Sequence, residues 1–371
     1  MATGTLTDRA LGRATLARQH LLRRGDMDPL AMVEHLLGLQ AQAPTPPYYA
    51  LWTRLRGFRA ESLSALLESR RVVRIVLMRG TVFAVSAADA HALRPWVQPL
   101  LDNDLDTNPI HGAGLRGVDR RALASVAREL LSDTPRTQAE LRPLLADCFP
   151  GQDPAALAHG ARCLLPLVQV TPRGLWGRSG KPRLAPLDVW AGPPESDFPS
   201  PDRLVLRYLA AFGPASVRDV QAWCGLTRLS EIVERLRPEL ATFRDERGVE
   251  LFDLPDAPRP DPSTPAPVRI LAPFDNALLS HADRRRFISD EHRARTMTKN
   301  GIIAPLVLVG GRVAGAAKLT TGRTSAVLEV TPWRSLTPSN RSAIETEGMK
   351  LVRFAAPAAE HHDVRVGTDS A

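Results

Sequence analysis

The fold is decided by the stretch DRLVLRYLAAFGPASVRDVQAWCGLTRLSEIVERLRPELATFRDERGVELFDLP, residues 202–255. Apolar residues recur at helical spacing in three of its segments, and Ser216 followed three residues later by Asp219 is the pattern of a helix N-cap. Two extended runs around Arg247 and Gly248 then predict a hairpin. Three helices followed by a hairpin are the order of a winged helix-turn-helix. The predicted helices span residues 202–212, 216–223 and 228–237.

The same order of elements occurs twice more upstream. In the second unit Thr137 and Glu140 have the spacing of a capping box, and two extended runs flank Arg173-Gly174. In the first unit a β-branched ribbon, residues 72–87, turns at Arg79-Gly80. Three such units in one chain indicate a repeat, although a helical protein with unrelated hairpins is the alternative. The predicted helices are residues 8–24, 29–39, 47–56 and 61–69 in the first unit, and 118–131, 135–147 and 154–165 in the second.

The chain continues beyond the third unit with a different pattern. Proline-rich connections precede and follow that unit, and residues 268–354 then read as strands separated by glycines. Two of these strands are predicted to join at Gly310-Gly311, which places Arg312 at a hairpin tip. We therefore expect an α+β protein with three tandem winged helix-turn-helix modules and a C-terminal β-rich region. The expected domains are residues 1–112, 113–190, 201–256 and 266–355, followed by a flexible tail, 356–371.

Composition excludes several classes of protein. The chain has 371 residues, 44% of them hydrophobic, which is enough for two or three globular domains. Its uninterrupted apolar stretches are too short to span a membrane, and no secretory signal is recognised, so a cytoplasmic location is expected. The three cysteines, Cys148, Cys163 and Cys224, are scattered and form no CxxC pair. This spacing argues against a disulfide framework and against a zinc site, so no metal and no cofactor are predicted.

Positive charge is concentrated near the N-terminus. The net charge is +8, and residues 1–100 hold 13 arginines, no lysine and 7 acidic residues. Arginine suits a polyanionic partner, because its planar fork grips phosphate oxygens in pairs and phosphate neutralisation releases counterions. A solvated arginine-rich surface is the alternative explanation.

The densest chemical signal is GLQAQAPTPPYYALWTRL, residues 38–55, where a predicted apolar helix ends at Gln40-Ala41-Gln42. Two amides at positions i and i+2 can converge if the backbone leaves the helix there. Glutamine is no strong general base, but it can orient a water molecule and hydrogen-bond a transition state. The alternative is a polar helix end before a proline turn, with Tyr48, Tyr49 and Trp52 in the core.

A second cluster is PFDNALLSHADRRR, residues 273–286. As a metal site it is weak, because His281 and Asp283 are only two residues apart and a third ligand is missing. It is either a buried His-Asp pair that orders a loop or a strip that faces DNA. On the second interpretation the predicted DNA-binding residues are Arg74, Arg79, His281, Arg284, Arg285, Arg286, Asn300 and Arg312.

Four segments carry a resemblance to a known family: the glutamine segment, the ribbon VVRIVLMRGTVFAVSAAD, then RYLAAFGPASVRDVQAWCGL, and LAPFDNALLSHADRRR. In this order, over about residues 8–335, they resemble the AlkZ and YcaQ type winged-helix DNA glycosylases. The resemblance implies tandem winged helices in a C-shaped arrangement around duplex DNA. It also implies excision of alkylated or cross-linked bases, with a hairpin presented near the lesion. Gln40 and Gln42 match the Gln-x-Gln motif of the AlkZ branch, which makes them the implied catalytic residues.

The resemblance leads to a specific expectation of function. The substrate class is double-stranded DNA that contains alkylated purines, N7-alkylguanine or N3-alkyladenine, extending to bulky genotoxin adducts and interstrand cross-links. Members of the AlkZ branch often protect antibiotic-producing actinomycetes from their own DNA-alkylating product, so self-resistance is an alternative to general base excision repair. A monofunctional hydrolase is favoured, because the sequence places no lysine near the glutamine segment. A monomer is expected. The rival interpretations are a winged-helix transcription regulator and a lesion-binding protein without catalysis.

Overall fold

The computed structural model of the protein describes residues 4–194, 200–296 and 303–368. In the first unit α1 is capped by Thr7, whose hydroxyl oxygen accepts a hydrogen bond from the Ala10 amide. The hairpin at Arg79-Gly80 is confirmed, with both residues in the left-handed region. The elements of this unit are β1 (Thr5–Leu6), α1 (Asp8–Arg18), α2 (Pro29–His35), β2 (Leu39–Gln40), α3 (Pro46–Arg54), α4 (Ala60–Glu68), β3 (Val72–Val76), β4 (Val82–Ser86), α5 (Ala87–Trp96) and α6 (Gln98–Thr107).

The second and third units follow the predicted order of elements. Both predicted capping boxes are present, Thr137 with Glu140 and Ser216 with Asp219. The second unit contains α7 (Arg120–Asp133), β5 (Arg136–Thr137), α8 (Gln138–Cys148), α9 (Pro154–Leu164), β6 (Leu167–Gln169), β7 (Arg183–Pro186) and α10 (Leu187–Ala191). The third contains α11 (Pro201–Phe212), α12 (Val217–Cys224), α13 (Ser230–Leu236), β8 (Ala241–Asp245) and β9 (Glu250–Asp253).

The C-terminal region is less purely β than its sequence predicted. The turn at Gly310-Gly311 is confirmed, but the long helix α16 was not predicted, and the expected flexible tail contains a strand that pairs in parallel with the preceding one. The elements are β10 (Arg269–Ile270), α14 (Asn276–Leu279), α15 (Asp290–Arg293), β11 (Leu306–Val309), β12 (Arg312–Thr321), β13 (Ser325–Pro332), α16 (Pro338–Ala355) and β14 (His361–Val366). Strands β10 to β14 form one sheet in chain order.

The hairpins of the first two units are fused into one sheet. Its strand order is β2-β4-β3-β6-β7-β5, and the two hairpins meet where Ile75 pairs with Val168. The third hairpin instead forms a separate sheet with β1. The fused sheet therefore brings side chains of the second unit next to the glutamine segment of the first.

Two local predictions were wrong. The second strand of the second hairpin is β7, and residues 175–178 lie in the loop before it. That loop packs on the first unit, since the Tyr48 hydroxyl donates to the Gly174 carbonyl oxygen over 2.7 Å and the Trp176 ring packs 4.9 Å from that of Tyr48.

The second wrong prediction concerns the helix that was expected to reach the glutamine segment, because this helix, α2, ends at His35. At Gly38, with φ of 96°, a Cβ would lie 2.2 Å from a Val85 side-chain carbon, so only glycine fits and the chain turns into β2.

Buried ion pairs join distant parts of the chain. Arg54 on α3 makes two hydrogen bonds to the Asp275 carboxylate, at 2.6 and 2.8 Å, and neither side chain is more than 1% exposed. Arg18 likewise makes two hydrogen bonds to the Asp253 carboxylate, and both of these side chains are also buried. Within the described residues, none of the helices is both long enough and apolar enough to cross a membrane.

Candidate active site

The two predicted catalytic glutamines lie along one edge of the fused sheet. Gln40 ends β2 and pairs with Phe83 of β4, and the next amide, that of Ala41, donates to the Val82 carbonyl oxygen over 2.7 Å. Strand β2 ends at Gln40, and Gln42 lies in the bend that follows it. The two amides are therefore positioned by a short edge strand and the bend after it, and not by a helix end as the sequence suggested.

Gln40 is held from behind by an arginine. It is 8% exposed, and its carbonyl oxygen accepts a hydrogen bond of 2.9 Å from the Arg79 guanidinium, which also donates to the Trp223 carbonyl oxygen over 2.6 Å. Burial, followed by the nearby positive charge of Arg284, lowers the pKa of Arg79 to about 10. Because arginine has only hydrogen-bond donors, its partner must be the carbonyl oxygen of the Gln40 side chain, and this fixes the orientation of the amide. The NH2 group of Gln40 is the end of the amide that Arg79 does not bind.

Gln42 is exposed at the edge of a pocket of about 450 Å³. Its carbonyl oxygen accepts a hydrogen bond of 3.2 Å from the Val82 amide, so this second glutamine is also fixed by its oxygen. The pocket has an apolar wall and several cations at its rim. The apolar side chains include Ile75, Val76, Val82, Leu167 and Leu184, and the cations are Arg142, Arg162 and Lys181.

Sequence reasoning missed these three cations, and the reason is topological. They belong to the second unit, at least 100 positions from Gln42 along the chain, and the pairing of β3 with β6 brings them to it. Lys181 also overturns one argument made from sequence, that no lysine lies near the glutamines. It lines the same pocket as Gln42, although its side chain is exposed to solvent.

Arg74 lies behind the glutamine segment and is 2% exposed. Its guanidinium donates to the Ala41 carbonyl oxygen over 2.8 Å and to the Gln169 side-chain oxygen over 3.1 Å. Burial, followed by the charge of Arg173, lowers the pKa of Arg74 to about 10. The predicted role in DNA binding is not supported by this buried position. Arg74 instead anchors the backbone between the two glutamines.

The sequence matches the family of AlkZ-like DNA glycosylases over residues 33–354, most of its length. The chain belongs to the AlkZ-like DNA glycosylase family. A relative from Streptomyces sahachiroi, described as an interstrand DNA cross-link repair glycosylase, is 28% identical over 174 residues. That alignment covers 44% of this chain and 45% of the relative, so less than half of either protein is compared.

A solved structure has the same fold as this AlkZ-like chain. Streptomyces sahachiroi DNA glycosylase AlkZ superposes with a TM-score of 0.79, covering 98% of this chain and 100% of the other. The two sequences are 19% identical in that comparison, so the superposition speaks for the fold alone.

The second cluster noted in the sequence, residues 273–286, lies largely in the interior of this AlkZ-like protein. His281 is 1% exposed, with Nε2 3.0 Å from the Phe212 carbonyl oxygen, and burial followed by the charge of Arg286 lowers its pKa to about 3. Arg286 is 3% exposed and donates to Thr15 and to the Pro214 carbonyl oxygen. Neither side chain lies on a surface, so both are left out of the proposed DNA interface. The acidic residue near His281 is Asp219, and not Asp283.

The other predicted DNA-binding residues differ in exposure. Arg284 is half-buried, and burial lowers its pKa, helped by the charge of Arg293. Arg285 is half-exposed and its guanidinium is paired with Asp283 over 2.7 Å. Arg312 donates to the Arg285 carbonyl oxygen over 3.0 Å. Asn300 lies outside the described residues.

The glycine tip beside Arg312 packs against the first helix. The Arg13 guanidinium donates to the Gly310 carbonyl oxygen over 3.1 Å, and a Cβ at Gly311 would lie 2.3 Å from that guanidinium. The tip of this hairpin is therefore engaged within the protein.

Proposed function

We propose that the protein hydrolyses the N-glycosidic bond of alkylated purines in duplex DNA. The observation that carries the proposal is the position of Gln42, an exposed amide beside a pocket with one apolar wall and a rim of cations. An apolar wall suits the face of a base, and cations suit the phosphates that flank it. Membership of the AlkZ-like DNA glycosylase family supports the same chemistry.

The two amides have a defined task in this proposal. Alkylation at a purine ring nitrogen gives the base a positive charge and makes it a good leaving group, so the enzyme must mainly place water and stabilise the sugar cation that develops. Each glutamine oxygen is already fixed by one donor, Arg79 or the Val82 amide, and keeps a second lone pair. That lone pair accepts a hydrogen bond from the attacking water and orients it towards the sugar, which is preorganisation of the kind that lowers barriers. The proton that the water loses on attack passes to solvent, and the alkylated base leaves as a neutral molecule.

The proposed substrates are N7-alkylguanine and N3-alkyladenine, extending to bulky adducts and interstrand cross-links. Support for the larger lesions comes from the Streptomyces sahachiroi relative, which is described as an interstrand DNA cross-link repair glycosylase, and from the pocket beside Gln42, which is open to solvent. The proposed physiological roles are base excision repair or self-resistance to a DNA-alkylating antibiotic, inside the cell.

The three units are proposed to act as tandem winged helices that surround duplex DNA in a C shape, within a monomer. Their order of helices and hairpins and the likeness to the AlkZ structure support this arrangement. A winged-helix regulator usually reads DNA as a dimer with one module per protomer, so several modules in a single chain favour wrapping.

The test is excision itself. The full chain is incubated with duplexes that carry one N7-methylguanine, one bulky N7 adduct or no lesion, and released base and alkali-labile abasic sites are measured. Release from the lesion duplexes alone supports the proposal. Tight binding without release would favour a non-catalytic DNA-binding protein, and preference for a particular undamaged sequence would favour a regulator.

Borohydride is expected to trap no covalent adduct between protein and DNA during turnover. A lysine nucleophile must be freed of its proton by desolvation or by a neighbouring cation, and Lys181 is exposed to solvent. Gel electrophoresis after reduction checks this expectation, with Lys181→Met as the matched variant. An adduct that disappears in Lys181→Met would replace the monofunctional hydrolase by a bifunctional lyase.

DNA affinity is expected to fall steeply with salt, with a logarithmic slope of about −0.9 for each phosphate neutralised. Arg142 is exposed at the pocket rim, so Arg142→Ala should weaken binding to all sequences similarly and reduce the slope by about 1. Titrations by fluorescence anisotropy at several salt concentrations measure both quantities. Lys350→Ala, an exposed change on α16 outside the pocket, is the control, and equal slopes for the two variants would remove Arg142 from the interface.

Arg79→Met is expected to lower the excision rate by about 100-fold, because a misplaced catalytic group costs about that much. The methionine keeps much of the packing volume but releases the Gln40 carbonyl oxygen. Single-turnover rates measure chemistry, and DNA affinity should change little, which separates a positioning role from a phosphate contact. Arg71→Met, at an exposed position just before β3 and away from the hairpin turn, is the control. Loss of affinity with an unchanged single-turnover rate would contradict the positioning role.

A further inference from the structure

Three side chains with different ligand atoms converge at the junction of the first two units. Asp104 lies on α6, while His159 and Cys163 are one helical turn apart on α9 and therefore share a face. The distances are 2.9 Å from His159 Nε2 to Asp104 Oδ2, 3.6 Å from Cys163 Sγ to His159 Nε2, and 3.7 Å from Cys163 Sγ to Asp104 Oδ2. All three atoms thus lie within 4.8 Å of one another.

These separations are close to those of a tetrahedral metal site. With metal bonds of about 2.3 Å to sulfur, about 2.0 Å to nitrogen and about 2.0 Å to oxygen, tetrahedral angles put neighbouring ligand atoms about 3.3 to 3.6 Å apart. The two distances from sulfur, 3.6 and 3.7 Å, lie at the upper end of this range or just beyond it. The nitrogen-to-oxygen distance is shorter because those atoms share a hydrogen bond, which a metal would replace.

The arrangement does not suit a cysteine nucleophile. In a catalytic triad the two ring nitrogens of the histidine have separate partners, one facing the nucleophile and the other the carboxylate. Here the same nitrogen, His159 Nε2, faces both Cys163 and Asp104. Three ligand atoms that converge on one point in this way are what a metal cation requires.

Burial and charge fit a divalent ion. Cys163 is 3% exposed, whereas the Asp104 side chain is 39% exposed and leaves a path from solvent. A carboxylate and a thiolate supply two negative charges, and mixed oxygen, nitrogen and sulfur ligands are typical of zinc. Metal binding forms the bond to sulfur and releases the thiol proton to solvent.

An adjoining ring gives a second, independent indication. His111 stacks on His159 with ring centroids 4.7 Å apart, and this contact fixes the orientation of the His159 ring. The Nδ1 atom of His111 is buried and has no hydrogen-bond partner among the described residues. A water molecule bound to a metal at this cluster would supply the missing partner, as outer groups do around zinc.

We propose that Asp104, His159 and Cys163 form a binding site for Zn²⁺, with water in the fourth position. The site ties α6 of the first unit to α9 of the second. Next to Cys163 on α9 is Arg162, which lines the pocket beside Gln42, so the metal fixes the helix that carries one of the rim cations. A zinc site was not expected from the sequence, because the three cysteines are scattered and form no CxxC pair. The three proposed ligands are spread over 60 positions, so no local spacing connects them.

Cobalt provides the test, because it occupies zinc sites and is coloured. The reduced full-length protein, freed of metal by a chelator, is titrated with Co²⁺. We expect one equivalent to produce a thiolate charge-transfer band and the intense visible bands of tetrahedral cobalt, which Zn²⁺ then abolishes. Cys163→Ser should lose the charge-transfer band, and Cys148→Ser, which removes the exposed thiol, should keep it.

Two outcomes would overturn the zinc site. One is the absence of these bands in the unmodified protein, and the other is their persistence in Cys163→Ser. If Cys163→Ser fails to fold, Asp104→Asn decides, since it keeps the thiol and should weaken Zn²⁺ binding at least tenfold in competition with a chromophoric chelator. Unchanged affinity in Asp104→Asn would also refute the site. None of these measurements uses excision, so they are independent of the proposed glycosylase activity.

Discussion

Replacing Gln40 and Gln42 together by alanine is expected to lower the excision rate by about 1,000-fold or more. Loss of one preorganised hydrogen-bonding group costs about 100-fold to 1,000-fold in a well-studied hydrolase, and here both groups are removed. The two amides are fixed by separate partners, so each single variant should be impaired by itself. Single-turnover release of N7-methylguanine from duplex DNA is the measurement.

Two controls make the result interpretable. Gln152→Ala, in the loop before α9 and outside the pocket, should leave the rate unchanged. The double variant should stay folded, because Gln42 is exposed and the Ala41 backbone hydrogen bond remains. Its melting temperature should fall modestly, since the Arg79 guanidinium loses one acceptor, and its DNA affinity should stay close to that of the unmodified protein. Unimpaired excision by the folded double variant would remove both glutamines from the mechanism.

Asp275→Ala is expected to destabilise the protein by about 3 to 5 kcal/mol, the range for breaking a buried ion pair. Arg54 would keep its contacts with Gln19 and the Ala50 carbonyl oxygen but would be a buried cation without its carboxylate. The free energy of unfolding is obtained from urea denaturation, monitored by tryptophan fluorescence and circular dichroism.

The exposed pair of Arg56 with Asp26 gives a matched comparison, since both side chains are more than half exposed. Asp26→Ala should cost at most about 1 kcal/mol. Replacing both partners of the buried pair, Arg54→Met with Asp275→Leu, should recover much of the lost stability, because apolar pairs substitute well for buried charges. Equal effects of Asp275→Ala and Asp26→Ala would show that the buried pair does not hold the C-terminal region to α3.

Local chemistry could be predicted from the sequence because it depends on residues close together in the chain. The capping boxes at Thr137 and Ser216 and the turns at Arg79-Gly80 and Gly310-Gly311 are set by short spacings. Helix α16 was missed because its apolar residues are few and are separated by polar ones, so its buried face is evident only once it packs on the sheet. The strand β14 was missed for a similar reason, since a short polar segment gains its order by pairing with β13.

The sequence allowed the two glutamines of the candidate site to be predicted, but not the residues that hold them. The type and position of Gln40 and Gln42 stood out beside three prolines, but the partners that hold them come from contacts across the fold. The interaction of Arg79 with Trp223 spans 144 positions, and no spacing rule finds it. His281 and Arg286 were wrongly predicted to face DNA, because polar and charged residues normally lie on surfaces and these two are buried against Phe212, Thr15 and Pro214.

The pairing of Ile75 with Val168 also limits how the molecule can be divided. A fragment that stops near residue 112 would retain β3 but lose β6, leaving an open edge of valine and isoleucine able to recruit strands from other copies. The repeats thus look modular in sequence but are interdependent in folding. Exchange of the second repeat between relatives would succeed only with strands that preserve this junction, and drift in its register would move the pocket wall relative to the glutamines.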